Sequence, residues 1–344
     1  METIDNIADS ISFAEQGRSA EEVNEVINAK LDIVDEHHKA GFVNIVGNPN
    51  VGKSTLMNDL VGERISIITS KAQTTRHRIM GIVNTPDYQI VYSDTPGVLK
   101  PKYKLQESMM RSVTGAVSDA DVILYVTDVV EQAAARDDGP MERSAEVLAK
   151  IARSKIPTIV LINKIDLATP ESLEVMVERW KGLLPEAVIL PISAKNEFGT
   201  ARLMEMIVER LPEGEPYYDK DALTDRPMRF FASEIIREKI LLNYDKEIPY
   251  SVEVEVESFL DEEPDEQHPE GIIRIGAVIF VERDSQKGII IGKGGKALKR
   301  VGTQARKEIE AFFGKPVFLQ LFVKVDKDWR SSQTRLRHYG YDLN

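Results

Sequence analysis

At 344 residues, with 42% hydrophobic and 29% charged residues, the chain has room for two domains with separate cores and the composition of a globular protein. It has no cysteine, which excludes disulfides, thiolate metal sites and a cysteine nucleophile; it also lacks a basic and apolar leader and any apolar run near the ~20 residues of a membrane helix, so a soluble intracellular protein is expected. The net charge of −12 speaks against a polyanionic partner, but 20 basic balance 20 acidic residues from Arg226 onward, and 14 basic face 5 acidic ones within Arg283–Arg337.

In chain order, residues 1–40 read as a polar, helix-forming extension with weak apolar spacing (Ile27, Leu31, Val34). From Phe42, short β-branched strands (42–47, 79–84, 88–94, 121–128, 157–163, 187–193) alternate with helical stretches at 53–61, 105–118, 141–154, 170–182 and 200–211. That alternation predicts an α/β domain over 41–211, a parallel sheet covered on both faces, with ligands at the carboxyl ends of the strands. Residues 212–227, rich in Pro, Gly and acids, read as a linker. The remainder, 228–344, predicts an α+β domain: a helix (229–243), strands at 251–260 and 272–283, a glycine loop, a basic helix (296–312), a strand (316–325) and a short terminal helix.

Gly47-Asn48-Pro49-Asn50-Val51-Gly52-Lys53-Ser54, followed by Thr55, matches G-x-x-x-x-G-K-[ST] between a strand and a helix. Such a loop turns its amides toward phosphate oxygens, with Lys53 reaching the β- and γ-phosphates and Ser54 the Mg²⁺. Asp94-Thr95-Pro96-Gly97 ends another strand, where Asp94 can hold Mg²⁺ through water and the Gly97 amide can sense a γ-phosphate. Asn163-Lys164-Ile165-Asp166 ends a third, and the Asp166 carboxylate suits the N1–H and exocyclic amine of guanine. Ser193-Ala194-Lys195 ends the last strand, with a backbone amide for the guanine O6. Four motifs in order on four strand ends predict a GTP site. Between the first two lies KAQTTRHRIMG (71–81), a polar switch loop whose Thr75 would bind Mg²⁺ while the γ-phosphate is present. Lys53, Thr75, Asp94 and Gly97 are the expected catalytic set. Many GTPases place a water-orienting Gln after the glycine of the DTPG motif; here Val98 and Leu99 follow, so intrinsic hydrolysis is expected to be slow. Asn50 either holds a monovalent cation, such as K⁺, beside the phosphates or only stabilises its turn.

Gly292-Lys293-Gly294-Gly295 fits the GXXG loop of a KH domain, which approaches the backbone of single-stranded RNA. Lys296, Lys299 and Arg300 follow on the helix, and the order α-β-β-α-α-β is that of a type II KH fold. Ser251–Glu270 holds nine acidic residues and no Lys or Arg, read as a solvated strand face and hairpin loop. The terminal Trp329, Arg335, Arg337, His338, Tyr339 and Tyr341 either stack on RNA or pack as a closing helix. The five histidines show no metal-ligand spacing.

With GNPNVGKS, KAQTTRHRIMG, DTPG, NKID, SAK and IIIGKGGKALKRVG in one chain, the sequence closely resembles the Era family of bacterial GTPases over about residues 42–341. The resemblance implies GTP hydrolysis and assembly of the 30S ribosomal subunit, the GTP form gripping the 3′ end of 16S ribosomal RNA and hydrolysis releasing it. It also implies peripheral association with the inner membrane and possible potassium dependence; a monomer is expected. Two departures are the extension over the first ~40 residues and an acidic insert near 261–270. A tandem two-GTPase relative would need a second set of motifs, and a tRNA-modifying relative a C-terminal cysteine motif, and neither is present. The rival from another class is an RNA-binding scaffold that never turns its nucleotide over.

Overall fold

The computed structural model describes residues 37–130 and 139–341, so the expected extension lies almost wholly outside the described residues. The first sheet is built from β1 (Lys39–Gly47), β2 (Ile79–Asn84), β3 (Tyr88–Asp94), β4 (Val122–Asp128), β5 (Thr158–Asn163) and β6 (Val188–Pro191), in the spatial order β2-β3-β1-β4-β5-β6. Its strands are apolar on both sides, and successive residues serve opposite faces. Leu124, Val126, Ile159 and Leu161 share a core with α1 (Lys53–Val61) and α5 (Thr200–Arg210). Their neighbours Ile123, Tyr125, Val160 and Ile162 face α2 (Lys104–Ser118), α3 (Gly139–Ser154) and α4 (Pro170–Leu183). This two-sided burial makes the strands read as continuous apolar runs.

The sheet is not wholly parallel: β2 pairs antiparallel with β3. Only residues 85–87 separate the two strands, too short a span for a crossover, so the chain turns back as a hairpin. Residues 212–227, expected as a plain linker, lie along that outer edge. Ile82 donates to the Leu223 carbonyl at 2.8 Å, and the Gln89 carboxamide oxygen accepts from the Tyr217 and Tyr218 amides. The segment thus covers the groups an edge strand leaves unpaired.

The second sheet has the order β7-β8-β9, from β7 (Glu253–Glu262), β8 (Ile272–Val281) and β9 (Val317–Val325). Helices α6 (Met228–Asn243), α7 (Asp284–Ile291) and α8 (Lys296–Phe313) cover one face, where Ile236, Ile240, Ile290, Val301, Ala305 and Ile309 meet Ile273, Ile275, Ala277 and Ile279. Strand β7 begins two residues later than expected, because Ile248–Ser251 with Pro249 form a helical turn. It also runs on to Glu262, which places the start of the acidic insert in the sheet. Glu253 departs from the expected solvated strand face, being 5% exposed. The last helix, α9 (Gln333–His338), packs with Trp329, Leu336 and Tyr341 against Leu105 and Met109 of α2. Trp329 is fully buried and its indole N–H donates to the Ser251 carbonyl, so the terminal segment closes the fold and ties the two sheets' domains together. Trp329 and Tyr341 are therefore spent on packing rather than free to stack on RNA.

Candidate nucleotide site and candidate RNA interface

The first loop leaves β1 and enters α1 through Gly52, whose φ of +99° and closeness to the Asn163 amide leave no room for a Cβ. Asn50 is in the left-handed region at φ +64°, and its amide donates at 3.1 Å to the carbonyl of Ser70, the residue just before the switch loop. Lys53 is 6% exposed, with its ammonium on the Gly47 and Asn48 carbonyls at 3.1 and 2.8 Å. Asn48 accepts from the Ser144 hydroxyl. A cleft of about 350 Å³ opens over the loop, lined among others by Pro49, Gly52, Lys53, Ser54, Thr55 and Thr75, with Gly97 and Lys164 on its rim.

Three oxygens meet at the start of α1. The Ser54 hydroxyl lies 2.7 Å from Asp94 Oδ2 and 3.0 Å from Thr75 Oγ1, and Thr75 Oγ1 lies 3.2 Å from the same carboxylate oxygen. Asp94 is fully buried; burial raises its pKa, while Lys53 and the Ser54, Ser66 and Thr75 hydroxyls act the other way. Its second oxygen, Oδ1, has no partner among the described residues. An all-oxygen set with an unsatisfied buried carboxylate atom fits a hard divalent cation such as Mg²⁺. Thr95 spends its hydroxyl on the Ile45 carbonyl, and the buried Pro96 carries the chain on to Gly97. Val98, which stands where a water-orienting Gln is common, is fully buried in the core.

At the other end of the site, Asn163 is a tie rather than a contact. Its amide donates to the Val51 carbonyl at 2.8 Å, and its oxygen accepts from the Lys164 and Ala194 amides. One buried side chain thus holds three of the four motifs in register. Lys164 reaches the Asn50 carbonyl at 2.6 Å and the Asp128 carboxylate at 2.5 Å. Asp166 is exposed, its Oδ1 held by the Ser193 hydroxyl at 2.7 Å, and Lys195 is exposed beside it. The carboxylate is therefore oriented and open, as a guanine-edge acceptor must be.

The glycine loop is a single turn, Lys293–Gly295, between α7 and α8. Gly292 has φ +71°, and a Cβ would meet Ala297 Cβ at 2.6 Å, so the first glycine is required by packing as well as by conformation. Gly294 faces open space. Lys293, Lys296, Lys299 and Arg300 are exposed and make no ion pair among the described residues, whereas Arg306 is bound to Glu310. These four free cations sit at the loop and the first turns of α8, where an anionic backbone would lie.

Sequence reasoning missed the residues between the two sites. Arg76, next to Thr75, is 1% exposed, and its guanidinium donates to the Val252 and Pro249 carbonyls and to Glu253 at 2.6, 3.0 and 3.2 Å. On the other side of Thr75, Arg237 donates to the Thr74 carbonyl and is paired with Glu234, both side chains buried. Glu253 also accepts from the Tyr341 hydroxyl, and His77 stacks on the Tyr341 ring with centroids 4.3 Å apart. Burial pushes the Glu253 pKa up, opposed by Arg76 and by Tyr341. The switch segment around Thr75 is therefore held to the second domain by two buried arginines, Arg76 reaching across to it and Arg237 reaching back to Thr74. The one available signal was Arg76 itself, a basic residue in a loop already singled out, without its distant partners.

Comparison with known proteins agrees with this geometry. The family model described as a 50S ribosome-binding GTPase matches residues 42–164, and that of a KH domain matches residues 247–330. The GTPase Era of Geotalea daltonii is 42% identical over 310 residues, 90% of this chain and all of that protein. Among solved structures, a GDP·AlF4⁻ complex of a variant of Aquifex aeolicus Era superposes with a TM-score of 0.81 at 39% identity, over 89% of this chain and 100% of that one. An Era complex with MgGDPNP and nucleotides 1506–1542 of 16S ribosomal RNA matches as well, with a TM-score of 0.81 at 40% identity and the same coverage. A P-loop GTPase domain followed by a KH domain, nearly the whole length of these relatives, settles the assignment: the chain belongs to the family of the bacterial GTPase Era.

Proposed function

We propose that this GTPase is a timed RNA-binding switch in assembly of the 30S ribosomal subunit, its GTP form binding the 3′ region of 16S ribosomal RNA and hydrolysis favouring release. The carrying observation is the meeting of Ser54, Thr75 and Asp94 oxygens beside Lys53, in a chain that also presents an open basic glycine loop. The related complex holding both MgGDPNP and 16S ribosomal RNA nucleotides supports pairing the two sites.

In this reading the loop 47–54 and Lys53 hold the GTP phosphates, Ser54 and Thr75 would hold Mg²⁺ directly, and Asp94 would act through water. The bound cation supplies positive charge to the phosphate oxygens as the bond breaks. Thr75 and the Gly97 amide sense the γ-phosphate, so its loss frees the switch segment. Asp166, oriented by Ser193, selects guanine, with the Ala194 and Lys195 region closing over the base. Val98 is buried and offers no hydrogen bond to a water, so turnover without a partner is slow. Asn50 is the candidate for holding K⁺ there, supported by its place in the phosphate loop. Gly292–Lys296, Lys299 and Arg300 bind RNA. We also propose the division into 1–40, 41–211, 212–227 and 228–344, and a monomer acting in the cytoplasm and at the cytoplasmic face of the inner membrane. The membrane contact rests on family resemblance alone; no helix among the described residues is long and apolar enough to cross a membrane.

The test is GTP turnover in potassium and in sodium buffer, with and without an oligonucleotide matching the 3′ end of 16S ribosomal RNA. Stimulation by the RNA is expected, and a potassium requirement would assign Asn50. Tight GTP binding with no turnover under any condition would turn the reading toward a scaffold.

A further inference from the structure

The arginine network joins the switch segment to the second domain, and a separate short bonded route leads from the switch to the glycine loop. Thr75 follows Thr74, whose hydroxyl donates to the Lys71 carbonyl at 2.6 Å. The Lys71 ammonium crosses to the second domain, where it donates to the Tyr244 carbonyl and to the Asp245 carboxylate, the latter at 2.6 Å. Asp245 is 90% exposed, so that ion pair contributes little by itself. Tyr244 caps the end of α6 and is 7% exposed. Its phenol donates at 2.7 Å, in a buried bond, to the Ile290 carbonyl.

Ile290 lies in the last turn of α7, where helix carbonyls have no intrahelical partner. Two residues later Gly292 makes the positive-φ bend that opens the RNA loop. One tyrosine therefore accepts from the switch through its backbone and supports the base of the glycine loop through its side chain. By contrast, the arginine network ends on β7 and α6, away from that loop.

We propose that Tyr244 is a positioning residue through which the nucleotide-sensing switch and the glycine loop bias one another. This rests on the reading that GTP state controls RNA affinity, and names the side chain that carries that control. When Thr75 is held, Lys71 is held with it, and the Tyr244 phenol fixes the carbonyl from which the loop springs. When the switch is released, the Lys71 bond is lost and the loop gains freedom. By linkage, RNA that orders the loop favours the held switch to the same degree.

The experiment measures the affinity of the full chain for the 16S 3′-end oligonucleotide with GDP and with a non-hydrolysable GTP analogue, and takes the ratio. The variants are Tyr244→Phe, which keeps the ring and removes one hydroxyl, and Lys71→Met, which keeps the stem and removes the ammonium. Tyr244→Phe is expected to shrink the ratio by about fivefold or more toward one, with basal GTP turnover unchanged. Lys71→Met is expected to shrink it similarly, and the double variant to go no further, since both break one route. A folded Tyr244→Phe protein that keeps the parental ratio overturns the proposal. So does a uniform loss of RNA affinity in both nucleotide states, because that marks a purely structural tyrosine. A parent protein with no nucleotide dependence would instead sink the underlying functional reading.

Discussion

The phosphate loop and the domain interface sit on either side of Thr75 and are built in opposite ways. The loop is eight consecutive residues, Gly47–Ser54, set between a strand and a helix that position it locally. The interface is assembled from groups that sequence keeps far apart: Arg76 meets its partners across 173 to 177 residues. Both are rich in hydrogen bonds, yet they differ in what holds them. The loop depends on backbone conformation, so its demands appear as fixed glycines and a lysine. The interface depends on charge compensation at a distance, so any one of its residues looks ordinary alone.

The largest effect is expected on the local side. Lys53→Ala removes the buried ammonium that faces the phosphate loop, while leaving the apolar packing of α1 around Leu56 and Leu60 intact. GTP binding should fall beyond detection in a fluorescent-nucleotide titration, with the circular dichroism spectrum of the parent retained. A variant that binds GTP as tightly as the parent would remove Lys53 from the site.

The next effect tests the interface. Arg76→Met leaves Glu253 buried without its guanidinium and strips donors from the Val252 and Pro249 carbonyls. Breaking a buried pair in this way costs about 3–5 kcal/mol. A denaturant titration should therefore show a midpoint well below the parent's, with the two domains no longer unfolding together. If stability stays within about 0.5 kcal/mol of the parent, the Arg76 network is not a structural clamp.

These two variants also mark what could be read in the chain. The strand-end motifs were legible because each is tied by short-range geometry to the end of a strand; Lys53, Ser54 and, from the switch loop, Thr75 line one cleft, with the Asp94 carboxylate bonded to Ser54 and Thr75. The KH element order was legible for the same reason: apolar periodicity and a glycine turn are local. The antiparallel β2 could have been inferred from the three residues joining it to β3, but the apolar run resembled its parallel neighbours. Glu253 read as solvent-facing because alternation along β7 says which side a residue takes, not that Arg76 and Tyr341 wait there. The course of residues 212–227 along the sheet edge rests on backbone bonds to Ile82 and on Gln89, which composition does not report.

A smaller effect probes the open side of the RNA interface. Gly294 has φ +60° and open space where a Cβ would stand, and Asp is among the residues that tolerate this region. Gly294→Asp should thus fold and place a carboxylate among Lys293, Lys296 and the RNA phosphates. Affinity for the oligonucleotide is expected to fall about tenfold, or ~1.4 kcal/mol, with basal GTP turnover unchanged. Unaltered RNA affinity would move the interface away from this loop. Gly292→Ala should behave differently and lower stability, since its Cβ meets Ala297.

The smallest effect separates His77 from the charges around it. The ring stacks on Tyr341 and meets Phe230 edge-on, with one side toward a cleft of about 310 Å³. Burial pushes its pKa from 6.5 down to about 3; Glu234 opposes this, and Arg226, Arg237 and Arg76 add to it. The folded protein therefore binds this proton less readily than the unfolded chain. Neutral His77 contributes its full stability above pH 6.5, and that contribution is lost as pH falls through the window toward 3. The limiting slope is about 1.4 kcal/mol per pH unit, lessened by the side of the ring that meets water. Glu253 works in the opposite sense, because its raised pKa favours the folded state as pH falls, so the parent's curve alone mixes the two. His77→Phe keeps a stacking ring and deletes only the imidazole. Between about pH 6.5 and about pH 5.5 the parent should lose up to about 1 kcal/mol relative to this variant in denaturant titrations. Parallel curves would mean that the interface opens enough to hydrate His77 before it titrates, and that the buried arginines rather than the ring hold the domains together.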